Sequence, residues 1–247
     1  MKPRLIFVHL LPGLVEPEKL SGGVAVVIDI LRASSTIAHA LGNGAIRVIP
    51  CQEIEEARHT AKGLTRRPLL GGERHGTKIE GFDLDNSPRN YTPEACKGET
   101  IVFTTTNGTR ALARCRSARR VLIGSFCNIS AVCASLGAET GGIHLMCAGT
   151  DGNVTLEDVL FAGAVYRRLK KEHPDLVAGN DSALLASQFA KVTTEDHAMI
   201  LRVFAGSLGG KNLIEVGFEE DLERCAQIDL FNVVPEWDAG ENTISAG

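Results

Sequence analysis

Residues 24–29, Val24-Ala25-Val26-Val27-Ile28-Asp29, restrict the fold more than any other stretch of the chain. Five consecutive apolar residues, four of them β-branched, leave no wet face, so the segment reads as a strand covered on both sides. Such strands belong to sheets whose crossovers place helices on the two faces. Similar runs predict strands over 4–10, 45–49, 100–104, 119–123 and 143–147. Between them, helical patterns run from Ala33 to Gly42 and over 52–62, 108–115 and 128–137. Thr155-x-x-Asp158 resembles a capping box and starts a further helix that runs to about Lys171. This alternation predicts an α/β protein: three α/β/α layers, a mostly parallel or mixed sheet, and a single domain over 1–247. The portion 180–226 is expected to be mostly helical, Asp229 to Pro235 to return as a final strand, and Asp238 to Gly247 to fray.

Charge and composition exclude several classes. The net charge is −4, and acids and bases are mixed along the chain with no basic tail, so nucleic acid is not an expected partner. The apolar stretch after Arg4 breaks at Pro12, too early for a membrane span or a secretory leader. A soluble cytoplasmic protein is expected, and a homodimer stays open. The seven cysteines are odd in number, irregularly spaced and without a Cys-x-x-Cys pair, against both a disulfide framework and a zinc ribbon.

The polar residues fall into clusters that each follow a predicted strand. These are Asp29 and Arg32; Glu73 and Arg74; Thr104-Thr105-Thr106-Asn107-Gly108-Thr109-Arg110; and Gly149-Thr150-Asp151. Ligands of open α/β sheets bind outside the carboxyl ends of the strands. Parallel strands would therefore gather all four clusters at one edge. The threonine-rich stretch offers hydroxyls, backbone N–H groups at a helix start and a guanidinium, which suit an anionic oxygen cluster such as phosphate. Alternatively, its hydroxyls merely cap the helix. Asp29, a carboxylate ending a buried strand, needs a salt bridge to Arg32, a magnesium ion or a nucleophile's role. Glu73 and Asp151 are metal ligands or solvated turn acids. Glu157 and Asp158 stand where acids simply favour a helix dipole, with reach to a metal as the alternative for either. Asp83 and Asp85 lie in a long irregular stretch, 76–93, of a length that is often functional. Arg32, Arg74 and Arg110 converging on one cleft would imply a polyanionic ligand. Cys147 is not followed by a loop ending in Arg and reads as structural.

Val27-Ile28-Asp29-Ile30-Leu31-Arg32-Ala33-Ser34-Ser35-Thr36, Gly71-Gly72-Glu73-Arg74, Gly81-Phe82-Asp83-Leu84-Asp85-Asn86-Ser87-Pro88 and the threonine stretch occur in that order, followed by Cys147-Ala148-Gly149 and Leu156-Glu157-Asp158. Together, over about residues 24–235, they resemble the 2-phosphosulfolactate phosphatase family, also called the ComB family. Ser34-Ser35 stands where Thr-Thr is expected, and Asp85 where Gly is expected. The resemblance implies a magnesium-dependent acid phosphatase that converts 2-phospho-3-sulfolactate to 3-sulfolactate and phosphate, a step of coenzyme M biosynthesis.

On that basis Asp29, with Glu73 or Asp151, is expected to hold Mg²⁺. Thr104, Thr105, Thr106, Asn107, Gly108 and Thr109, together with Arg110, would hold and stabilise the phosphoryl oxygens. Arg32 and Arg74 would take the carboxylate and sulfonate. Asp29, Glu73 and Arg110 form the expected catalytic set. In-line attack on phosphorus by a water bound to the metal is favoured over an aspartyl phosphate on Asp29, because Leu31 stands where the common aspartyl phosphatases carry a second acid. A phosphate-ester-binding regulatory module and a phosphotransferase using the same cleft are the alternatives from other classes.

Overall fold

The computed structural model describes residues 3–191 and 197–247. Strands β1 (Leu5–His9) and β2 (Val24–Ile28) lead into helix α1 (Ala33–Gly42), then β3 (Arg47–Cys51), α2 (Ile54–Gly63), β4 (Leu69–Arg74) and β5 (Thr77–Lys78). Next come α3 (Pro93–Cys96), β6 (Thr100–Thr104), α4 (Gly108–Arg114), β7 (Arg120–Ile123), α5 (Ile129–Gly137) and β8 (Ile143–Cys147). The remainder holds α6 (Leu156–Glu172), β9 (Val177–Ala178), α7 (Asp181–Lys191), α8 (His197–Gly206), α9 (Leu208–Glu215), α10 (Glu220–Ala226), β10 (Pro235–Asp238) and β11 (Thr243–Ala246).

Among the described residues all eleven strands join one mixed sheet, in the order β5-β4-β6-β3-β11-β10-β7-β2-β8-β1-β9. It consists of two parallel blocks, β4-β6-β3 and β7-β2-β8-β1-β9, joined through the antiparallel β10–β11 hairpin. β2 is buried along its whole length between β7 and β8, as its unbroken apolar run demands. Each of its large side chains contributes roughly 1.5–3 kcal/mol through burial. β1 lies one place in from the sheet's end, covered by the two-residue β9.

Residues on the two faces of the sheet serve separate cores. Val24, Val26, Ile28, Ile143 and Leu145 pack with Leu160, Phe161 and Val165 of α6. Ala25, Val27, Val121 and Ile123 from one block share a second core with Val48, Ile101 and Phe103 from the other. Ile37 and Ala40 of α1 and Ala111 and Leu112 of α4 belong to this second core. Both blocks therefore close over the same two helices.

The C-terminus overturns two expectations. Residues 227–234 form no strand: Asp229 has φ of 54°, and the N–H groups of Asp229 and Phe231 donate to Phe126 O and Cys127 O outside the sheet. The segment beyond Asp238 does not fray but forms β11, inside the sheet. The alternation of Pro235, Trp237 and Ile244 inward with polar neighbours outward is what builds it. Glu236 fixes it further, accepting from Arg120 Nε at 2.9 Å and Nη2 at 2.6 Å. Residues 180–226 are mostly helical, as expected: among the described residues they form four helices, with breaks at Ser207 and Gly217, and residues 192–196 lie outside the described residues. The seven cysteines are buried and free, and no helix among the described residues is long and apolar enough to cross a membrane.

Candidate active site

The loops after β2, β4, β6 and β8 open on one cleft of about 340 Å³, lined by Asp29, Glu73, Thr105, Thr106, Asn107 and Asp151. The four clusters thus meet as the sequence predicts, although the sheet reverses strand direction between its blocks. They meet because α1 and α4 lie side by side under both blocks and their first residues touch. A Cβ on Gly108 would stand 2.7 Å from Ala33 Cβ and 2.9 Å from Asp29 Oδ2. Only glycine permits that approach. Arg32 of the first loop, the β4–β5 turn at His75 and Gly76, and α9 complete the walls.

Asp29 sits at the floor, 8% exposed. Its Oδ1 accepts the Ala33 N–H at 3.2 Å, and its own N–H donates to Ser34 Oγ at 2.9 Å. Burial holds its pKa well above the usual carboxylate range; the negative charges of Asp158, Glu73 and Glu157 add to the effect, and the Ala33 N–H partly offsets it. Beside it, the Thr105 hydroxyl is 2% exposed and has no hydrogen-bond partner.

Glu73 organises the threonine loop: Oε1 accepts the Thr106 N–H at 2.9 Å and Oε2 the Gly76 N–H at 2.8 Å. Both of its oxygens are thereby committed to backbone. Asn107 Oδ1 accepts the Asp151 N–H at 3.2 Å, tying the β6 and β8 loops together. Asp151 is exposed on the rim, with φ of 49°.

Within the threonine stretch the hydroxyls divide by role. Thr105 and Thr106 line the cleft. Thr109 Oγ1 donates to Thr105 O at 2.7 Å, and Thr104 Oγ1 bonds to Gln52 O and the Arg74 guanidinium. These two brace the loop.

The three arginines do not converge. Arg32 lines the cleft, and it is the only arginine or lysine to do so among the described residues. Arg74 is spent on structure: it donates to Glu73 O at 2.8 Å, Gln52 O at 2.7 Å and Thr104 Oγ1 at 3.0 Å, knitting three strand ends together. Arg110 is exposed, without an ion-pair partner among the described residues. It faces a separate depression with Leu11, Leu14 and Gly152, divided from the cleft by Asn107. The helix geometry is the reason: Arg110 falls on the side of α4 away from Gly108 and Thr105.

The acids assigned to a helix dipole turn out to be central. Asp158 is 2% exposed and makes no capping box. Its Oδ1 accepts the Ile30 N–H at 2.9 Å and its Oδ2 the Gly149 N–H at 3.0 Å, so it pins the loops after β2 and β8. Glu157 is 1% exposed and points the other way, against Gly209 of α9, where a Cβ would stand 2.3 Å from Oε1. Its Oε2 has no hydrogen-bond partner, and neither has the buried Thr155 hydroxyl two residues before it. Burial and the charge of Asp158 push Glu157 up, and burial pushes Asp158 up. The sequence does contain a signal for this: Val159-Leu160-Phe161 follows directly, so the first turn of α6 enters a core where acids cannot be solvated. Asp83, by contrast, lies outside the cleft, paired with Arg67 at 2.7 Å. Asp85 closes its own turn, accepting from the Ser87 N–H at 2.8 Å and from Asn90. Cys147 is fully buried, and burial raises its thiol well above its ordinary value, which fits a structural role.

Asp29, Glu73 and Asp151 thus line the cleft, and Asp158 and Glu157 are buried behind Asp29, close enough for their charges to act on it. Among the described residues no three His, Cys, Asp or Glu side chains are grouped so as to hold a metal ion between them. The donor set instead fits a hard cation that takes one or two carboxylates and keeps much of its water. The open Asp29 oxygen beside Gly108 and the unpartnered Glu157 Oε2 are the groups such a cation would relieve.

A profile of the 2-phosphosulpholactate phosphatase family matches residues 9–240. Among curated relatives, a probable 2-phosphosulfolactate phosphatase of Thermotoga petrophila is 46% identical over 211 residues, 85% of this chain and 87% of the relative. Proteins given the same name in Caldanaerobacter subterraneus subsp. tengcongensis and Symbiobacterium thermophilum are 43% and 42% identical, over 85% and 91% of this chain and 86% and 95% of theirs. The cleft of β-strand ends and helix starts described above lies wholly inside the matched region, and the chain belongs to the 2-phosphosulpholactate phosphatase family.

Proposed function

We propose that this chain hydrolyses 2-phospho-3-sulfolactate, or a related phospho-2-hydroxy acid, to the 2-hydroxy acid and phosphate with the help of Mg²⁺, the reaction type that coenzyme M biosynthesis uses. The observation that carries the proposal is the meeting of Asp29, the unpartnered Thr105 hydroxyl and the 105–107 loop over Gly108, in a member of this family.

The geometry supports the following roles. Thr105 and Thr106, held in place by Glu73 and the Thr109 hydroxyl, receive the phosphoryl oxygens and donate to the charge that grows there. Asp29 is a buried carboxylate whose raised pKa makes it a stronger base than an ordinary aspartate. It takes a proton from the attacking water, which approaches phosphorus in line; the bond from phosphorus to the substrate's C2 oxygen breaks, and that oxygen gains a proton to leave as the hydroxyl of the 2-hydroxy acid. Leu31 fills the position two residues on, so no second acid is there to serve an aspartyl phosphate. Arg32 holds the substrate's carboxylate or sulfonate. Asp29, with Asp151 on the rim or Glu157 beneath, would hold Mg²⁺; a bound ion would supply polarisation of the phosphoryl oxygens and offset the acids of the floor.

Phosphate release from 2-phospho-3-sulfolactate and from 2-phospholactate, each measured with Mg²⁺ and with EDTA, tests the proposal. Turnover that requires Mg²⁺ and prefers the sulfonate supports it. Equal turnover of both substrates keeps the phosphatase and discards the sulfonate site. Binding without phosphate release overturns it in favour of a regulatory module.

A further inference from the structure

Arg32 is held in an unusual way for a group that is to meet an anion. Its side chain is 1% exposed and that of Asp221, on α10, is 0% exposed; Arg32 Nη1 donates to Asp221 Oδ2 at 2.7 Å. Nη2 donates to Gly76 O, in the β4–β5 turn, at 2.8 Å. The Phe218 ring covers one face of the guanidinium, 4.4 Å from Cζ to the ring centroid. Asp221 is itself fixed from the far side, for the Ser87 hydroxyl donates to its Oδ1 at 2.6 Å. Two of the five guanidinium donors are thus committed and three remain, on a plane whose tilt and rotation are both set.

A buried ion pair of this kind costs desolvation and adds little net stability. Nor does it supply the cleft with net positive charge, since Asp221 cancels Arg32. What it supplies is direction. A fork fixed in orientation discriminates a planar or tripodal acid group by hydrogen-bond geometry, where a mobile lysine or arginine would only attract it. Asn86, next to Ser87 in the chain, also lines the cleft and has a buried Oδ1 without a partner. The segment 86–87 therefore faces the ligand with one residue and the Arg32 clamp with the next.

We propose that Asp221 and Ser87 are positioning residues: they orient Arg32 so that the enzyme selects substrates carrying a sulfonate besides the phosphate and the carboxylate. The inference rests on the phosphatase reading for its substrate and on the observed clamp for its residues. It ties the far C-terminal helix α10, which supplies nothing else to the cleft, to substrate choice.

Ser87→Ala, Asp221→Asn and Arg32→Lys are compared with the parent protein on 2-phospho-3-sulfolactate and 2-phospholactate, and 3-sulfolactate binding is measured by calorimetry. Ser87→Ala is the decisive variant, because it deletes one hydroxyl without leaving a buried charge unpaired, so it keeps the test valid if Asp221→Asn does not fold. The expected result is a tenfold or greater rise in KM for the sulfonate substrate, a smaller rise for 2-phospholactate, and at least tenfold weaker 3-sulfolactate binding. Equal effects on both substrates, or a loss confined to kcat, overturn the positioning role and leave the phosphatase reading standing. If the parent protein turns over neither substrate, the phosphatase reading fails and binding alone decides: weaker 3-sulfolactate binding in Ser87→Ala supports the clamp, and unchanged or undetectable binding overturns it.

Discussion

Replacing Glu157 with Gln should stabilise the metal-free protein at alkaline pH and leave it almost unchanged at pH 5. Glu157 is 1% exposed, its Oε2 lacks a partner, and burial together with the charge of Asp158 pushes its pKa from 4.5 to about 8. An acid held higher in the folded than in the unfolded state keeps its proton preferentially in the folded state. Stability is then full below the unfolded value and falls as pH rises from about 4.5 towards 8, by about 1.4 kcal/mol for each pH unit in that window. Taken alone this sums to roughly 4–5 kcal/mol; because Asp158 titrates against the same charge, we expect on the order of 3 kcal/mol. Glutamine keeps the shape of the side chain and abolishes the titration.

Urea unfolding at pH 5 and pH 9 in EDTA reads the effect. The parent protein should lose stability between the two, and Glu157→Gln should lose much less. Adding Mg²⁺ should flatten the parent's loss at pH 9, since a ligand at 100 times its Kd stabilises by about 2.7 kcal/mol. A Glu157→Gln protein less stable than its parent at pH 9 in EDTA would falsify the reasoning, as would an unchanged pH slope.

Three further perturbations probe the rest of the structure. Gly108→Ala places a Cβ 2.7 Å from Ala33 Cβ and 2.9 Å from Asp29 Oδ2, so α1 and α4 must part; the overpacking should cost about 1–3 kcal/mol in thermal unfolding, and kcat/KM should fall at least ~100-fold, as misplacement by about 1 Å commonly does. Trp237→Ala removes a 5% exposed side chain from the hairpin that joins the two blocks, and should cost about 3–5 kcal/mol in urea unfolding; a change below ~1 kcal/mol would mean that the C-terminus does fray. Arg110→Ala should alter kcat/KM by less than about fivefold, because an exposed charge is worth about 1 kcal/mol at most and Arg110 faces a different depression; a hundredfold loss would place it in the cleft after all.

The layers of the fold were legible because burial on both faces writes itself into short apolar runs, as in Val24-Ala25-Val26-Val27-Ile28. The acids and hydroxyls of the cleft were legible for a related reason: each closes such a run, where a side chain leaves the core abruptly. The rest was hidden where its meaning depends on distant partners. Asp221 is an ordinary acid in a charged helix until Arg32, 189 residues away, is placed against it. Arg74 and Arg110 look equivalent in sequence, each following a strand, yet helix phase turns one outward and three carbonyl and hydroxyl oxygens absorb the other. The final hairpin escaped notice because its four-residue strands are half polar, and their register is imposed by β3 and β7, formed elsewhere in the chain.

One consequence of the charge distribution joins the site to its proposed chemistry. Asp29, Glu73, Asp151 and Glu215 line the cleft, and Arg32, the one permanent cation there among the described residues, is already balanced by Asp221. A substrate with a phosphate, a carboxylate and a sulfonate would meet a wall of its own sign. At Asp29 and Glu73, the buried pair, this repulsion is magnified, because charges shielded from water interact several times more strongly than at the surface. The same acids that repel the substrate attract a divalent cation, and a cation on Asp29 would turn the floor from a barrier into a receptor. The division of labour then becomes intelligible. Neutral hydroxyls and backbone face the phosphoryl group, where charge changes during reaction. The neutralised Arg32 fork reads the part of the substrate that does not react. The acids hold the one component whose charge offsets the rest.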